Sequence, residues 1–316
     1  MNNLTSGRKA RAMNWMRWTG WGIALAMAAG AALIGVGKVR WRRATQSQLA
    51  LLTASQQMTP ARRYDAREID DLPAPVQRYF RAVLKDGQPL ITTATFELAG
   101  TINMSAAGED WKQFTSWQRA VIHRPGFLWN GSVSMFPGLK AHVHDSYLAG
   151  VGRLHATMLG LFTVANGKGG GEIARGEMMR YFAEMVWYPT ALLPSEGVRW
   201  EAVNDRSASA TLTDGLVQVT LLFSFDEAGL ITTIHADAQG AGIGKDMVML
   251  PWECRMSNYQ LRHGMLVPTR GEVAYLRAAG RSRTSLVRFS RWFMSFPYDM
   301  AYAVVTAMSN AQGAAQ

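Results

Sequence analysis

Twenty consecutive residues, Trp18 to Gly37, carry no charge. At about 1.5 Å per residue, a helix of that length crosses the roughly 30 Å hydrocarbon core of a bilayer with little tilt. The flanks agree with a membrane anchor. The first 59 residues hold eight Lys or Arg and no Asp or Glu. Arg8, Lys9, Arg11 and Arg17 precede the run, and Lys38, Arg40, Arg42 and Arg43 follow it. Such cations suit lipid headgroups, and Trp15, Trp18, Trp21 and Trp41 suit the interface.

Orientation is not readable from charge, because four positives stand on each side and the positive-inside rule works on the difference. A cleaved signal peptide is the rival reading, with small residues at Ala26, Ala28, Ala29 and Ala31. The run is longer than a usual signal core and Arg-rich sequence follows it at once, which favours an uncleaved anchor.

The net charge of +10 would point to nucleic acid if it were spread over the chain. It is not: beyond the anchor region 25 basic residues face 23 acidic ones. No phosphate-tracking surface is implied, and no nucleic-acid partner is expected. Cys254 is the only cysteine, so an internal disulfide and a multi-Cys metal site are both excluded. Between Trp252 and Met256 it reads as a small buried hydrophobe.

The chain divides into a basic segment 1–17, a transmembrane helix 18–37, a stalk 38–69, a β-rich domain 70–285, and a C-terminal aromatic segment and tail 286–316. The stalk reads as helical or frayed, with Leu49, Leu51, Leu52, Ala54 and Met58 among polar residues, and Pro60 ends it. A short amphipathic helix is predicted over 75–84, where Val76, Tyr79, Phe80 and Val83 fall at helical spacing. Strict alternation then predicts strands over 93–104, 127–135, 208–212 and 217–225, and Asp226 to Gly229 reads as a hairpin turn into 230–238. A second helix is predicted over 176–188, stopped by Pro189. Leu286 to Met308 is apolar and aromatic, but Arg288, Arg291, Pro297 and Asp299 interrupt it. It reads as a strand followed by a packed or interfacial helix, not a second span. The predicted fold class is mainly β (α+β): a transmembrane helix, then a curved antiparallel sheet or open half-barrel with inserted helices.

Motif chemistry is sparse. The Gly240–Asp246 stretch superficially resembles a phosphate loop, but Gln239 replaces the first Gly, and Asp246 stands where a hydroxyl should meet Mg²⁺. No dinucleotide fingerprint, nucleophile elbow or zincin motif occurs, so no cofactor is expected. His142 and His144 share a strand face about 7 Å apart, with Asp145 next door. Two ligands are too few for zinc unless His155 or His123 joins them, and no metal is expected.

The strongest candidate site lies on the predicted helix. Glu177, Arg180, Tyr181, Glu184 and Tyr188 recur in steps of three and four, so acids, a guanidinium and phenols share one stripe, and Trp187 adjoins it. Facing an apolar cavity, Arg180 would clamp an anionic headgroup, or one Glu would acquire a raised pKa. On a solvated face the same residues would simply pair.

Several segments are familiar together: Leu72-Pro-Ala-Pro-Val-Gln-Arg-Tyr-Phe80, Pro125-Gly-Phe-Leu-Trp129, Arg175-Gly-Glu-Met-Met-Arg-Tyr-Phe-Ala-Glu184, Trp187-Tyr-Pro-Thr-Ala-Leu-Leu-Pro194, Gly197-Val-Arg-Trp-Glu201 and Val267-Pro-Thr-Arg-Gly-Glu-Val273. Over residues 70 to 276 they resemble an uncharacterised bacterial family of unknown function. That family has no established activity or catalytic residues to carry over. Its strand pattern is similar to that of the periplasmic LolA/LolB lipoprotein carriers, which hold acyl chains in an open β half-barrel. With the Trp18–Gly37 anchor, the expectation is a single-pass protein of the bacterial inner (cytoplasmic) membrane with a periplasmic domain. The expected function is binding of a membrane lipid or other apolar ligand, and 11 Trp, 12 Phe and 18 Met suit an adaptable apolar cavity. Two alternatives remain open: a scaffold for a membrane-protein partner, presenting an aromatic patch at Trp292, Phe293 and Phe296, and a hydrolase using Glu177 or Glu184.

Overall fold

Alternating apolar residues make strands that must bury one face, and this chain buries it on its own helices. A computed structural model describes residues 4–56, 60–105, 108–243, 246–278 and 280–295. Within them run β1 (Thr93–Asn103), β2 (Trp111–Val121), β3 (Gly126–Phe136), β4 (Leu139–Leu148), β5 (Val151–Met158) and β6 (Phe162–Gly169), six antiparallel strands in sequence order. A second run holds β7 (Arg199–Asn204), β8 (Ser207–Asp214), β9 (Val217–Phe225), β10 (Ile231–Ile243), β11 (Asp246–Arg262), β12 (Met265–Arg277) and β13 (Gly280–Ser295). Pairing of β1 with β13 joins the two runs into one open antiparallel sheet of 13 strands, with β6 and β7 at its free edges.

The strands predicted at 93–104, 127–135, 208–212 and 217–225 are all present, as is the hairpin through Asp226–Gly229. The helix predicted over 75–84 is α2 (Ala74–Val83), which buries Val76, Tyr79, Phe80 and Val83. The helix predicted over 176–188 is displaced toward the N-terminus. It is α3 (Gly171–Glu184), followed by short 3₁₀ turns at Met185–Trp187 and Pro189–Leu192. Gly170 caps the helix and Gly171 opens it, with a positive φ of 60° that suits glycine.

The core sits on the concave face. Met178, Met179, Tyr181 and Phe182 of α3 are fully shielded there, and Trp187, Tyr188 and Leu192 continue the same buried segment. Cys254 is buried among them, and burial raises its thiol pKa well above the ordinary value. The hollow of the sheet is therefore occupied at its base by the chain's own helix. The expected open half-barrel with inserted helices is present, and beyond α3 its wall stays half-exposed. That wall includes Ile102, Met135, Val143, Val273, Tyr275 and Val287, partly buried side chains that pack against the core.

The N-terminal helix α1 runs unbroken from Leu4 to Ser55. Its residues from Trp18 are long and apolar enough to cross a membrane. Trp18, Trp21, Leu25 and Leu33 are all exposed and touch no other part of the chain's core. The segment expected as a helical or frayed stalk continues the same helix and lies on the convex face of β3 to β5. A helix needs small residues for so close an approach. A Cβ added at Gly37 would stand 2.0 Å from the Leu159 carbonyl oxygen, and one at Gly160 would stand 2.4 Å from that of Gly37. Further along, Leu52 packs with Val121 and Leu128 at the other end of the strands.

Candidate functional site

The alternation of β2, β3 and β4 sends Gln118, Trp129 and Asp145 to the concave face, where α3 lies across them. On α3, Glu177, Arg180 and Glu184 are spaced by three and four residues and form one stripe over those strands. Arg180 is the hub. Its Nε lies 2.9 Å from Glu184 Oε1, Nη1 2.5 Å from Asp145 Oδ2, and Nη2 3.3 Å from Gln118 Oε1. Gln118 Nε2 in turn donates to Glu184 Oε2. The guanidinium also lies over the rings of Phe127 and Trp129, 5.3 and 5.1 Å from their centroids.

Glu177 faces Asp145. Burial first, and then the Asp145 carboxylate, push the Glu177 pKa well above the ordinary value. Glu177 Oε2 and Asp145 Oδ1 are shielded from water and neither receives an N–H or O–H from elsewhere. A proton held between the two carboxyl groups satisfies both oxygens at once, and the upward shift favours Glu177 as the group that holds it. The stripe then holds one cation, Arg180, against two carboxylates, Asp145 and Glu184. Its surplus is negative, and Arg180 is paired with both of those carboxylates.

Of the remaining sequence candidates, Tyr181 donates to the Val121 carbonyl at 2.7 Å and Tyr188 to that of Tyr181 at 3.4 Å. Both phenols are fully buried and their pKa values are raised, chiefly by burial. Trp187 packs edge-on against Phe289 at 4.7 Å and Phe96 at 5.5 Å, and its buried indole N–H has no partner. The structure thus brings Glu177, Arg180 and Glu184 together at the floor of the hollow, and puts Tyr181 and Tyr188 into the core beneath it. Asp145 and Gln118 belong to the same network and sequence reasoning missed both. Asp145 stood next to His144 in the metal argument; alternation puts it on the opposite face, and only the strand pairing reveals that it meets Gln118 and α3 there.

The histidines do different work on the convex face. His144 stacks on Trp41 with centroids 3.8 Å apart. Its Nε2 is 2.7 Å from Thr45 Oγ1 and its Nδ1 3.0 Å from Gln48 Nε2. Burial, then the neighbouring His155, Arg153 and His142, push its pKa down to about 3. Both ring nitrogens are engaged by α1, and among the described residues no group of three metal-ligating side chains occurs. His123 lies elsewhere, 3.0 Å from Glu196. The imidazole of His144 is a neutral docking surface for the anchor helix.

Two surface cavities lie away from the stripe. One of about 460 Å³ runs along the convex face beside Trp41, between Glu97, Trp117, Asn130 and His142. The other, about 720 Å³, opens at the far end of the sheet between Arg124, Glu172, Arg175 and Asp214. Of the Gly240–Asp246 stretch, Gly240 to Ile243 are the last residues of β10 and pair with β11, which opens at Asp246, while Gly244 and Lys245 lie outside the described residues. Phe296 and the helix expected after it also lie outside them, as do the side chains of Trp292 and Phe293.

The architecture defines a class: a wide, open antiparallel sheet folded over an internal helix, with an apolar N-terminal helix long enough to span a bilayer. Residues 70–286 match DUF6920, a family of unknown function, and the chain belongs to that family. No curated protein matches it. Among solved structures it is similar to a LolA superfamily protein from Nitrosomonas europaea, at 11% identity and a TM-score of 0.37 over 70% of this chain and 92% of that one. A likeness of that size carries no argument about what this chain binds.

Proposed function

We propose that this protein is a membrane-tethered binder of a lipid or similar apolar molecule, held in the uncovered part of the concave face. The observation that supports it is positional. The apolar span of α1 ends at Gly37, against the Leu159–Gly160 turn between β5 and β6. The hairpin ends of β1 to β6 on that side are therefore level with the membrane surface. The half-exposed wall of Ile102, Met135, Val143, Val273 and Val287 belongs to the half of the sheet nearest that surface. An acyl chain entering there meets apolar side chains, with the stripe of Glu177, Arg180 and Glu184 as the floor. Since that floor carries surplus negative charge, the reading favours a ligand whose polar end is neutral or amine-bearing. In this reading the helix anchors the domain in the bacterial inner membrane, with the sheet on the periplasmic side.

For the hydrolase alternative, Glu184 accepts from Arg180 on one oxygen and from Gln118 on the other. For the scaffold alternative, the expected aromatic patch lies beyond the described side chains.

The test is mass spectrometry of material that copurifies with the gently solubilised full chain, alongside Val287→Trp, which fills the mouth. Wild type is expected to carry a stoichiometric lipid that the variant lacks. Absence of bound lipid, together with no uptake of a fluorescent fatty-acid or fatty-amine probe by delipidated protein, would overturn the proposal.

A further inference from the structure

Hairpin tips in water are normally built from Gly, Asn, Asp and Ser. Two tips of this sheet are not. The β3–β4 turn reads Phe136-Pro137-Gly138-Leu139, and the β5–β6 turn reads Leu159-Gly160-Leu161-Phe162. Phe136 and Phe162 are each 66% exposed, a large aromatic surface with no protein partner to cover it. The β2–β3 and β11–β12 turns at the opposite strand ends carry Arg124, Arg262 and His263, the β4–β5 turn carries small Ala149 and Gly150, and the β8–β9 turn, which lies beside Arg124 and Gly150, carries Asp214 with exposed Leu216.

Both apolar tips lie at the end of the sheet that α1 leaves on its way into the bilayer. Gly37, the last residue of the uncharged run, is in backbone contact with Leu159 and Gly160. Because the helix is continuous through this point, the edge of the hydrocarbon core and the β5–β6 tip share one level. Lys38 on α1 and exposed Lys140 at the start of β4 are both near enough to His142 to depress its pKa. They place two cations just behind the aromatic tips, where anionic headgroups of the same bilayer would lie. An aromatic at the interface backed by Lys is the pattern of a membrane-seated surface.

We infer that the β3–β4 and β5–β6 tips, led by Phe136 and Phe162, insert into the surface of the bilayer that α1 spans, so that the sheet stands on the membrane instead of swinging free on its anchor. The inference shares with the proposed function the crossing of the bilayer by α1. It does not require a bound ligand.

The experiment uses the full chain reconstituted into phosphatidylethanolamine–phosphatidylglycerol vesicles, in a Cys254→Ser background. Single cysteines at Phe136, Phe162, Leu216 and Leu261, with Leu25→Cys as the anchor control, carry an environment-sensitive fluorophore. All five positions are exposed, so the substitutions leave the core intact. The expected result is blue-shifted emission at positions 136 and 162, and quenching by spin-labelled lipid several-fold stronger there than at 216 and 261. If 136 and 162 report water while 25 is quenched, the inference falls and the anchor stands. If 25 also reports water, α1 does not span the bilayer, and both this inference and the membrane reading fall with it. Lipid found by mass spectrometry bears only on the ligand, so the two proposals fail separately.

Discussion

The indole of Trp41 lies flat on the imidazole of His144, with ring centroids 3.8 Å and planes 15° apart. Its Nε1 also donates to Asn130 Oδ1 at 3.1 Å. One residue of the anchor helix is thus fixed by stacking and by a hydrogen bond to two neighbouring strands. Trp41→Ala should remove both and cost about 3–5 kcal/mol of docking, as for a buried Trp elsewhere. Hydrogen exchange would show α1 residues 41–52 losing protection while the sheet keeps its own. Unchanged protection along α1 would contradict the assignment of Trp41 as its main attachment.

Acid should release the same helix. The folded pKa of His144 is depressed to about 3 from an ordinary 6.5, with His155, Arg153 and His142 adding to the effect of burial. The released state takes up a proton below pH 6.5 and the docked state does not. Docking stability is therefore full above that pH and falls as pH drops toward 3, by at most about 1.4 kcal/mol per unit. His144→Gln, which keeps hydrogen-bonding groups without the titration, should flatten the profile. Proteolysis or exchange of residues 41–52 measured between pH 7 and 4 reads the difference.

Much of this molecule was legible in its sequence where a period could be seen. The clean alternation of Val217 to Phe225 and the helical spacing of Val76, Tyr79, Phe80 and Val83 each returned the predicted element. The stripe of Glu177, Arg180 and Glu184 was legible for the same reason, since helix geometry alone brings those residues together. What failed to show was everything set by distant pairing. Gln118 and Asp145 reach the stripe only because β2 and β4 flank β3, a fact of strand order that no local pattern contains. The strand β11 was hidden by its length and by Pro251 and Asn258, which break its alternation. The adjacency of His144 and Asp145 misled: neighbours on a strand point to opposite faces, and the pair serves two sites.

Glu177→Gln replaces the neutral carboxyl with an amide that can donate to Asp145 without titrating. In the wild type the folded pKa is raised by burial, by Asp145 and by Glu184, against the opposing pull of Arg180. The folded state therefore holds a proton that the unfolded state gives up. Stability is full below the ordinary carboxylate range and declines as pH rises toward the elevated folded value. The Gln variant should lose that decline and match or exceed wild type at pH 8. Denaturant midpoints at pH 4.5 and 8 for both proteins check this, and parallel profiles would show that Glu177 is ionised in the fold.

Among the described residues Arg180 is the only cation in contact with Asp145 and Glu184, each of whose side chains is largely buried. Its removal leaves two shielded carboxylates facing one another, and the price of an uncompensated buried charge is about 3–5 kcal/mol. Arg180→Met should therefore destabilise strongly even though it adds apolar surface above Phe127 and Trp129. Arg180→Lys should recover only part of the loss. A single ammonium cannot meet Glu184, Asp145 and Gln118 in the plane that the guanidinium occupies. The informative variant is the triple change Arg180→Met, Asp145→Asn, Glu184→Gln, which deletes every charge of the network except the neutral Glu177. If the network is structural, the triple variant regains most of the stability, because replacing a buried charged set by neutral groups of similar size is often close to neutral. If the floor also positions a ligand's amine, the triple variant folds and still loses the copurifying lipid, which separates the two roles by one thermal melt and one mass spectrum.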